Sequence, residues 1–512
     1  MTHMINGWSV FKTGGNNRYF YDKVKQRAQL CHPLLHYILE LYKKGTDPVH
    51  WVAGLEGDTV EIDDLGRFSK TDVEYYVQKF LLLKENGYFG RIDLERRLSG
   101  RITKELIERT LANVTQVTFE VTDRCNLKCK YCGYGEFYDD YDQREGKDLP
   151  VDSAKRLLDH LLKYWNSPLN QSHDRNIFFS FYGGEPLMNI TFLREIVAYV
   201  NDLGLMHNPF TFNMTTNGLL LKKHMHFLVE HRFKLLISLD GNEENNDYRV
   251  TPDGKPAFRL IMENIDALLD TYPDYFEKYV NFNSVLHNKN SVDDIYGFIK
   301  SRYGKIPSIG PLNNTGIRKD RQEEFWATYR DFGSSLQESG DRSAIEKDMF
   351  IKLPNVTELA VFLFENNHFT FEDYNDMLFP KKDNIWIPTG TCIPFSKKVF
   401  VTAHGKILPC ETCGHQHALG HLSPTGVQLD SEAIAARYNQ YFDKMKRLCT
   451  ACHQIDRCKQ CIFQLDTLDD EKPVCTGIMS EKHYAQAVSR LVSSFEKNPI
   501  LYHRLLKEVN FE

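Results

Sequence analysis

Twelve cysteines constrain this 512-residue chain more than any other feature, because eleven of them fall into two groups. Three stand at Cys125, Cys129 and Cys132; eight more lie from Cys392 to Cys475. Cys31 stands apart, at an apolar helix start, and reads as a buried structural thiol. The first residues lack the apolar stretch of a signal peptide, and no run of about 18 apolar residues occurs, so the chain is expected in the cytoplasm, off the membrane. Thiols stay reduced there, which makes metal binding a better explanation of the cysteines than disulfides. A formal charge of -6, mixed along the chain, offers no basic face for nucleic acid.

The chain is too long for one ordinary core, and its patterning divides it. Residues 1–108 begin with strand-like WSVFK and RYFYDKV. A helix follows from Pro33 with an apolar stripe of Leu34, Tyr37, Ile38, Leu41 and Tyr42. Another follows Ser69, carrying Val73, Tyr76, Val77, Phe80 and Leu81, with Gly87 placed as its carboxyl-terminal cap. Through 109–312 strand-like runs alternate with amphipathic ones: VTQVTFEVT, RNIFFSFYGG, FTFNMTTNG, KLLISLDG and KYVNFNSVLH. That alternation predicts an α/β fold of repeated βα units around a parallel sheet or partial barrel, with chemistry at the carboxyl ends of the strands. Residues 313–385 read as a helical bridge, 386–478 as a cysteine-rich domain, and 479–512 as a closing helix.

Cys125, Cys129 and Cys132 form a C-x3-C-x2-C pattern after the first of those strands. Three thiolates can hold three irons of a [4Fe-4S] cube and leave the fourth open, the mark of a metal site that performs chemistry. A zinc knuckle is the alternative; it needs a fourth ligand, and residues 133–150 contain no Cys or His.

This spacing, with aromatic Tyr131 before the last cysteine, resembles the signature of the radical S-adenosylmethionine (SAM) superfamily. The resemblance implies that Cys125, Cys129 and Cys132 are the catalytic cluster ligands, and that the open iron takes the amino and carboxylate groups of SAM. Reductive cleavage of the sulfonium would then give a 5'-deoxyadenosyl radical. It also implies a partial (β/α)6 TIM-like barrel. Gly183-Gly184-Glu185 resembles the family's GGE motif, which meets the SAM ammonium, and Tyr131 belongs with it among the cofactor contacts. Thr216-Asn217-Gly218 looks like the TNG turn. Ser238, Asp240 and Arg249 resemble the S-x-D-G and following arginine, implying ribose contacts for the first two and the SAM carboxylate for Arg249, whose planar fork suits two oxygens. The four signals arrive in order at the ends of successive strands.

The downstream pattern, Cys392-x12-Gly405-x4-Cys410 and then Cys449-x2-Cys452-x5-Cys458-x2-Cys461, closing at Cys475, resembles the SPASM extension with two auxiliary clusters. By that resemblance Cys449, Cys452, Cys458 and Cys475 hold one cluster and Cys392, Cys410 and Cys461 the other, making three [4Fe-4S] clusters in all. Either Cys413 is the fourth ligand of the latter or one iron stays open. Zinc remains the alternative, since C-x2-C pairs also suit it. His404, His415, His417, His421 and His453 read as neighbours or surface residues rather than ligands.

The amino-terminal module is similar to the winged-helix-like element that captures leader peptides by adding them as a strand. The resemblances together imply a peptide maturase: a precursor peptide held through its leader, hydrogen abstraction, and a thioether, C-C or C-O crosslink. An electron donor such as flavodoxin or ferredoxin is expected. The alternatives are a sulfatase-maturase-like enzyme making formylglycine, a small-molecule radical SAM enzyme, and a metal-binding protein without catalysis. Tyr134, Glu136, Tyr138, Asp139 and Asp140 follow the cysteines in an acidic loop and receive no role.

Overall fold

Alternating side chains set the first strands of the computed structural model, which describes residues 4–366 and 386–509. β1 (Met4–Asn6) pairs at a distance in sequence with β7 (Arg91–Asp93). β2 (Trp8–Lys12), β3 (Arg18–Asp22) and β4 (Arg27–Leu30) form an antiparallel sheet, and β5 (Thr59–Ile62) and β6 (Gly66–Ser69) a hairpin. Helix Pro33–Lys43 starts where His32 Nδ1 accepts the Leu34 N–H at 3.2 Å. Helix Lys70–Glu85 starts at Ser69, whose hydroxyl accepts from Asp72 N at 3.0 Å. Gly87, at φ +80°, ends that helix as its position predicts. Cys31 lies buried with Trp8, Phe20, Leu35, Ile38 and Phe80.

The amino-terminal region also shares a core with the end of the chain. Phe11 and Tyr21 pack with Phe362, Tyr484, Val488 and Val492. The expected closing helix is two helices, Glu481–Lys497 and Ile500–Glu508, parted at Asn498 and Pro499. Proline lacks the N–H that would continue the first.

Among the described residues the main sheet has ten strands. Six of them are parallel and adjacent in chain order: β8 (Gln116–Glu120), β9 (Ile177–Tyr182), β10 (Phe210–Thr216), β11 (Lys234–Ser238), β12 (Val280–Leu286) and β13 (Ser308–Pro311). Beyond β8 the cysteine-rich segment continues the same sheet. β14 (Val399–Val401) lies parallel to β8, and β15 (Lys406–Leu408), β16 (Gly420–Ser423) and β17 (Gly426–Gln428) follow antiparallel. These four short strands were not legible in the sequence. The fold is α/β with a large mixed sheet.

The two faces of the parallel strands differ in chemistry. Val117, Phe119, Phe179, Phe181, Phe212, Leu235, Ile237 and Phe282 are buried in one core with helical stripes such as Leu157, Leu158, Leu161 and Trp165. The alternate residues Thr118, Ser180, Asn213, Ser238 and Asn283 line a cavity instead. Parallel strands are usually apolar on both faces, so the polar face marks the side left for a ligand. Of the expected helical bridge, helices run from Gln322–Thr328 to Pro354–Glu365, and residues 367–385 lie outside the described residues. Among the described residues no helix is long and apolar enough to cross a membrane.

Candidate functional site

The carboxyl ends of β8 to β11 and the loops after them converge on a cavity of about 640 Å³. Cys125, Cys129, Tyr131, Cys132, Gly183, Gly184, Glu185, Thr216, Asn217, Ser238 and Arg249 all line it. Of the expected cofactor contacts only Asp240 stands back from the wall.

Close backbone approach builds the rim. Gly184 N donates to Thr122 O and Glu185 N to Arg124 O, each at 2.8 Å, which ties the turn after β9 to the chain just before Cys125. A Cβ on Gly184 would fall on the Arg124 carbonyl, and Gly183 sits at φ +132°, so both positions require glycine. The cysteine loop is pinned on its other side by Lys128 N to Val250 O at 2.7 Å and Lys130 N to Tyr248 O at 3.2 Å.

Glu185 is fully buried and joins two of the expected motifs. Its carboxylate accepts from Thr216 Oγ1 and Asn217 N at 2.8 Å each, and from Leu187 N at 3.1 Å. Burial pushes its pKa up to about 7 against the opposing pull of those donors. The Asn217 amide lies 3.7 Å from Cys125 Sγ and 2.7 Å from Asn126 Oδ1, so the TNG turn touches the cysteine loop directly.

Asp240 anchors a buried network. It takes Arg249 Nε at 2.9 Å, Arg249 Nη2 at 3.0 Å and Val285 N at 2.9 Å, and also accepts the Tyr131 hydroxyl. The Tyr131 ring stacks on His287 at 5.6 Å. Burial works to raise the Asp240 pKa, yet the Arg249 guanidinium and His287 outweigh it and hold the carboxyl well below the usual range. Arg249 therefore already has a carboxylate partner inside the protein, in addition to facing the cavity.

Four polar side chains of the site escaped the sequence reading. Arg144, in the acidic loop, puts Nη2 3.3 Å from Cys132 Sγ, its guanidinium 5.0 Å from the Tyr134 ring centre. Glu120 ends β8 fully buried, accepting from Ala403 N at 2.8 Å and from the Tyr134 hydroxyl; burial pushes its pKa up to about 7. Lys398 and Glu411 meet at 2.8 Å on the cavity wall. The one signal in the sequence was Glu120 itself, a carboxylate closing an apolar strand five residues before Cys125. Tyr134, left without a role, thus holds the cysteine loop to the end of β8 through Glu120. Tyr138 donates to Asn313 O at 2.6 Å, and His415 N to Asp140 O at 2.8 Å.

The eight downstream cysteines sort into two neighbourhoods. Burial raises the Cys449 thiol to about 12, and the other thiols acting on it are Cys458, Cys452 and Cys475. Burial raises Cys461 to about 11, with Cys410 and Cys392 acting on it, while Cys413, buried and pushed up, feels Cys410 and Cys461. In the first trio burial likewise raises Cys125 to about 11 and Cys129 to about 12. Clustered buried thiols stay protonated when no cation offsets their charge, and a metal group is what reverses that preference. Gly390 N donates to Gln460 O at 3.1 Å, bringing the Cys392 loop against the 458–461 turn. Among the described residues no three of His, Cys, Asp and Glu converge as a single metal ion would require. His415 and His417 are buried and His421 is exposed.

Residues 119–301 match the Radical SAM superfamily. A cysteine-type anaerobic sulfatase-maturating enzyme of Clostridium novyi (strain NT) is 32% identical over 201 residues, covering 38% of this chain and 50% of that protein. The radical SAM cyclopropyl synthase TigE of Paramaledivibacter caminithermalis is 20% identical over 273 residues, covering 50% of this chain and 52% of its own. The chain thus spans about half the length of these curated relatives. The solved structure of native anSMEcpe with bound AdoMet and Cp18Cys peptide aligns at TM-score 0.50 and 17% identity, over 77% of this chain and 99% of that one, a likeness of fold. Residues 119–301 thus form a radical SAM domain of the kind found in enzymes, and most of the residues that line the cavity lie within it.

Proposed function

We propose that this chain is a cytoplasmic radical SAM peptide maturase with a partial barrel over 109–312, a winged-helix-like leader-binding module over 1–108 and a SPASM-type auxiliary domain over 386–478. The reading is carried by one observation: the cysteine trio and the three later motifs share a single cavity with a polar floor. A [4Fe-4S] cluster with SAM bound would supply a 5'-deoxyadenosyl radical there. Cys125, Cys129 and Cys132 would hold the cluster. Asn217 and Arg144 would donate toward the thiolates, and Glu185 would receive the SAM ammonium at the lone pairs its three donors leave free. Ser238 would face the ribose, while Asp240 would act by fixing Arg249 and Tyr131 rather than by touching the cofactor. The two thiol neighbourhoods support auxiliary clusters at Cys449, Cys452, Cys458, Cys475 and at Cys392, Cys410, Cys413, Cys461. Those clusters would accept the spare electron, and a flavodoxin- or ferredoxin-type donor would supply the first.

Leader capture is supported by the outer edge of β4, which among the described residues pairs with β3 alone. Cys31 N donates to Arg18 O at 2.9 Å, so alternate residues face β3, and Ala28 and Leu30 turn their backbone groups outward. Leu30 is 65% exposed. The other edge strand, β2, is covered by helix Glu481–Lys497, where Ser489 donates to Lys12 O at 2.6 Å. Deleting the module would strip the Tyr21 and Tyr484 core, so point changes at β4 are the cleaner test.

The test is anaerobic reconstitution with dithionite and SAM. Wild type should release 5'-deoxyadenosine, Cys129→Ala none, and the precursor should lose two hydrogens per crosslink. Leu30→Pro and Leu30→Asp should weaken precursor binding and spare uncoupled SAM cleavage. Release of no 5'-deoxyadenosine by iron-loaded wild type sinks the proposal. The identity to the Clostridium novyi protein favours formylglycine formation as the second reading; an aldehyde-bearing product with unchanged turnover in the β4 variants would select it.

A further inference from the structure

Tyr438, on helix Ser431–Cys449, is fully buried, and among the described residues its hydroxyl has no hydrogen-bond partner. An orphaned buried hydroxyl is unfavourable, and native proteins keep few of them. Its surroundings say what is missing. The ring meets Phe463 edge-on at 5.4 Å, two residues past Cys461, and Phe442 edge-on at 6.0 Å. Burial pushes its phenol pKa well up, and after burial the largest contributions come from the thiols of Cys413, Cys461, Cys410 and Cys392. A phenol donates readily to sulfur acceptors such as thiolate or sulfide. Other hydroxyls near these cysteines are already engaged: Thr412 Oγ1 lies 3.3 Å from Cys410 Sγ, and Thr391 Oγ1 accepts from Ile462 N at 2.9 Å.

We propose that the Tyr438 hydroxyl donates a hydrogen bond to a sulfur of the iron-sulfur group held by Cys392, Cys410, Cys413 and Cys461, and thereby raises its reduction potential. The inference rests on the cluster reading of those thiols given above. Hydrogen bonds to cluster sulfurs withdraw charge, which favours the reduced form, and burial keeps water from substituting for the donor. Tyr438 would touch the metal group and no substrate. It would make this site the easier one to reduce, as an acceptor of the substrate's spare electron should be.

The test uses the reconstituted full chain. In Tyr438→Phe, which keeps the ring, iron content should match wild type, while the midpoint of one auxiliary cluster in an EPR-monitored titration falls and the other midpoints stay. An exchangeable-proton coupling, lost in D2O, should be present in wild type and absent from the variant. Tyr441→Phe, whose hydroxyl already lies 3.4 Å from Arg437, serves as the control and should shift nothing. Full iron with unchanged midpoints and coupling overturns the inference alone. Wild type holding iron for one cluster only overturns the auxiliary reading and the inference with it. Should Tyr438→Phe lose iron, Tyr438→fluorotyrosine, a stronger donor of the same shape, must raise the same midpoint, and its failure to do so overturns the proposal.

Discussion

Arg249 clasps Asp240 with two nitrogens, at 2.9 and 3.0 Å, and both side chains are buried. Removing the guanidinium alone strands a buried carboxylate, a change that typically costs about 3–5 kcal/mol. Arg249→Met should therefore lower the unfolding midpoint sharply in urea. The Asp240→Asn, Arg249→Met double variant should recover part of the loss, and a double variant no more stable than Arg249→Met would refute the pairing argument. Since the folded Asp240 carboxyl is held below its unfolded value of about 3.9, its stabilisation is present above that pH and is lost as the pH falls further.

Glu185 behaves in the opposite sense. Its pKa is raised by burial to about 7, so its contribution is fully present below the unfolded value near 4.3 and is lost as the pH rises through 7. Protein without cofactor should thus lose stability between those values, and Glu185→Gln should flatten the slope in thermal unfolding across that range. A bound ammonium favours the carboxylate, so SAM affinity measured by anaerobic dialysis should weaken below pH 7 in wild type but not in Glu185→Gln. A parallel pH dependence in both proteins would remove Glu185 from the site.

Two glycines give a contrast in stability. A Cβ at Gly184 meets the Arg124 carbonyl, whereas at Gly297, exposed on helix Val292–Tyr303, it meets nothing within 4 Å. Gly184→Ala is expected to destabilise by roughly 1–3 kcal/mol as an overpacked site. Gly297→Ala should stabilise by about 0.5–1 kcal/mol through helix propensity. Calorimetry of the two variants checks the signs.

Arg144 supplies the charged donor beside Cys132 Sγ. Loss of such an outer partner commonly costs 10–100-fold in metal affinity or activity, about tenfold at the least. Arg144→Met should depress 5'-deoxyadenosine release by that order with iron uptake slowed. Wild-type rates would show that the contact does not matter.

Much of the site could be read along the chain because its signals are local. Spacing within Cys125–Cys132, the Gly183-Gly184-Glu185 turn and the Thr216-Asn217-Gly218 turn are fixed by short-range geometry, and strand periodicity sets which ends they occupy. The order of the six parallel strands follows for the same reason, since right-handed βα units place each strand beside the last. Tertiary structure alone decided the rest. No local pattern links Arg144 to Cys132, Glu120 to Ala403 or Tyr438 to the cysteines around it, because those side chains come together only in the folded chain. Nor could the sequence show that β14 would extend the main sheet beside β8, or that Tyr21 would share a core with Tyr484. Residue type and spacing determined which chemistry the chain can hold; packing between remote segments determined which side chains surround it.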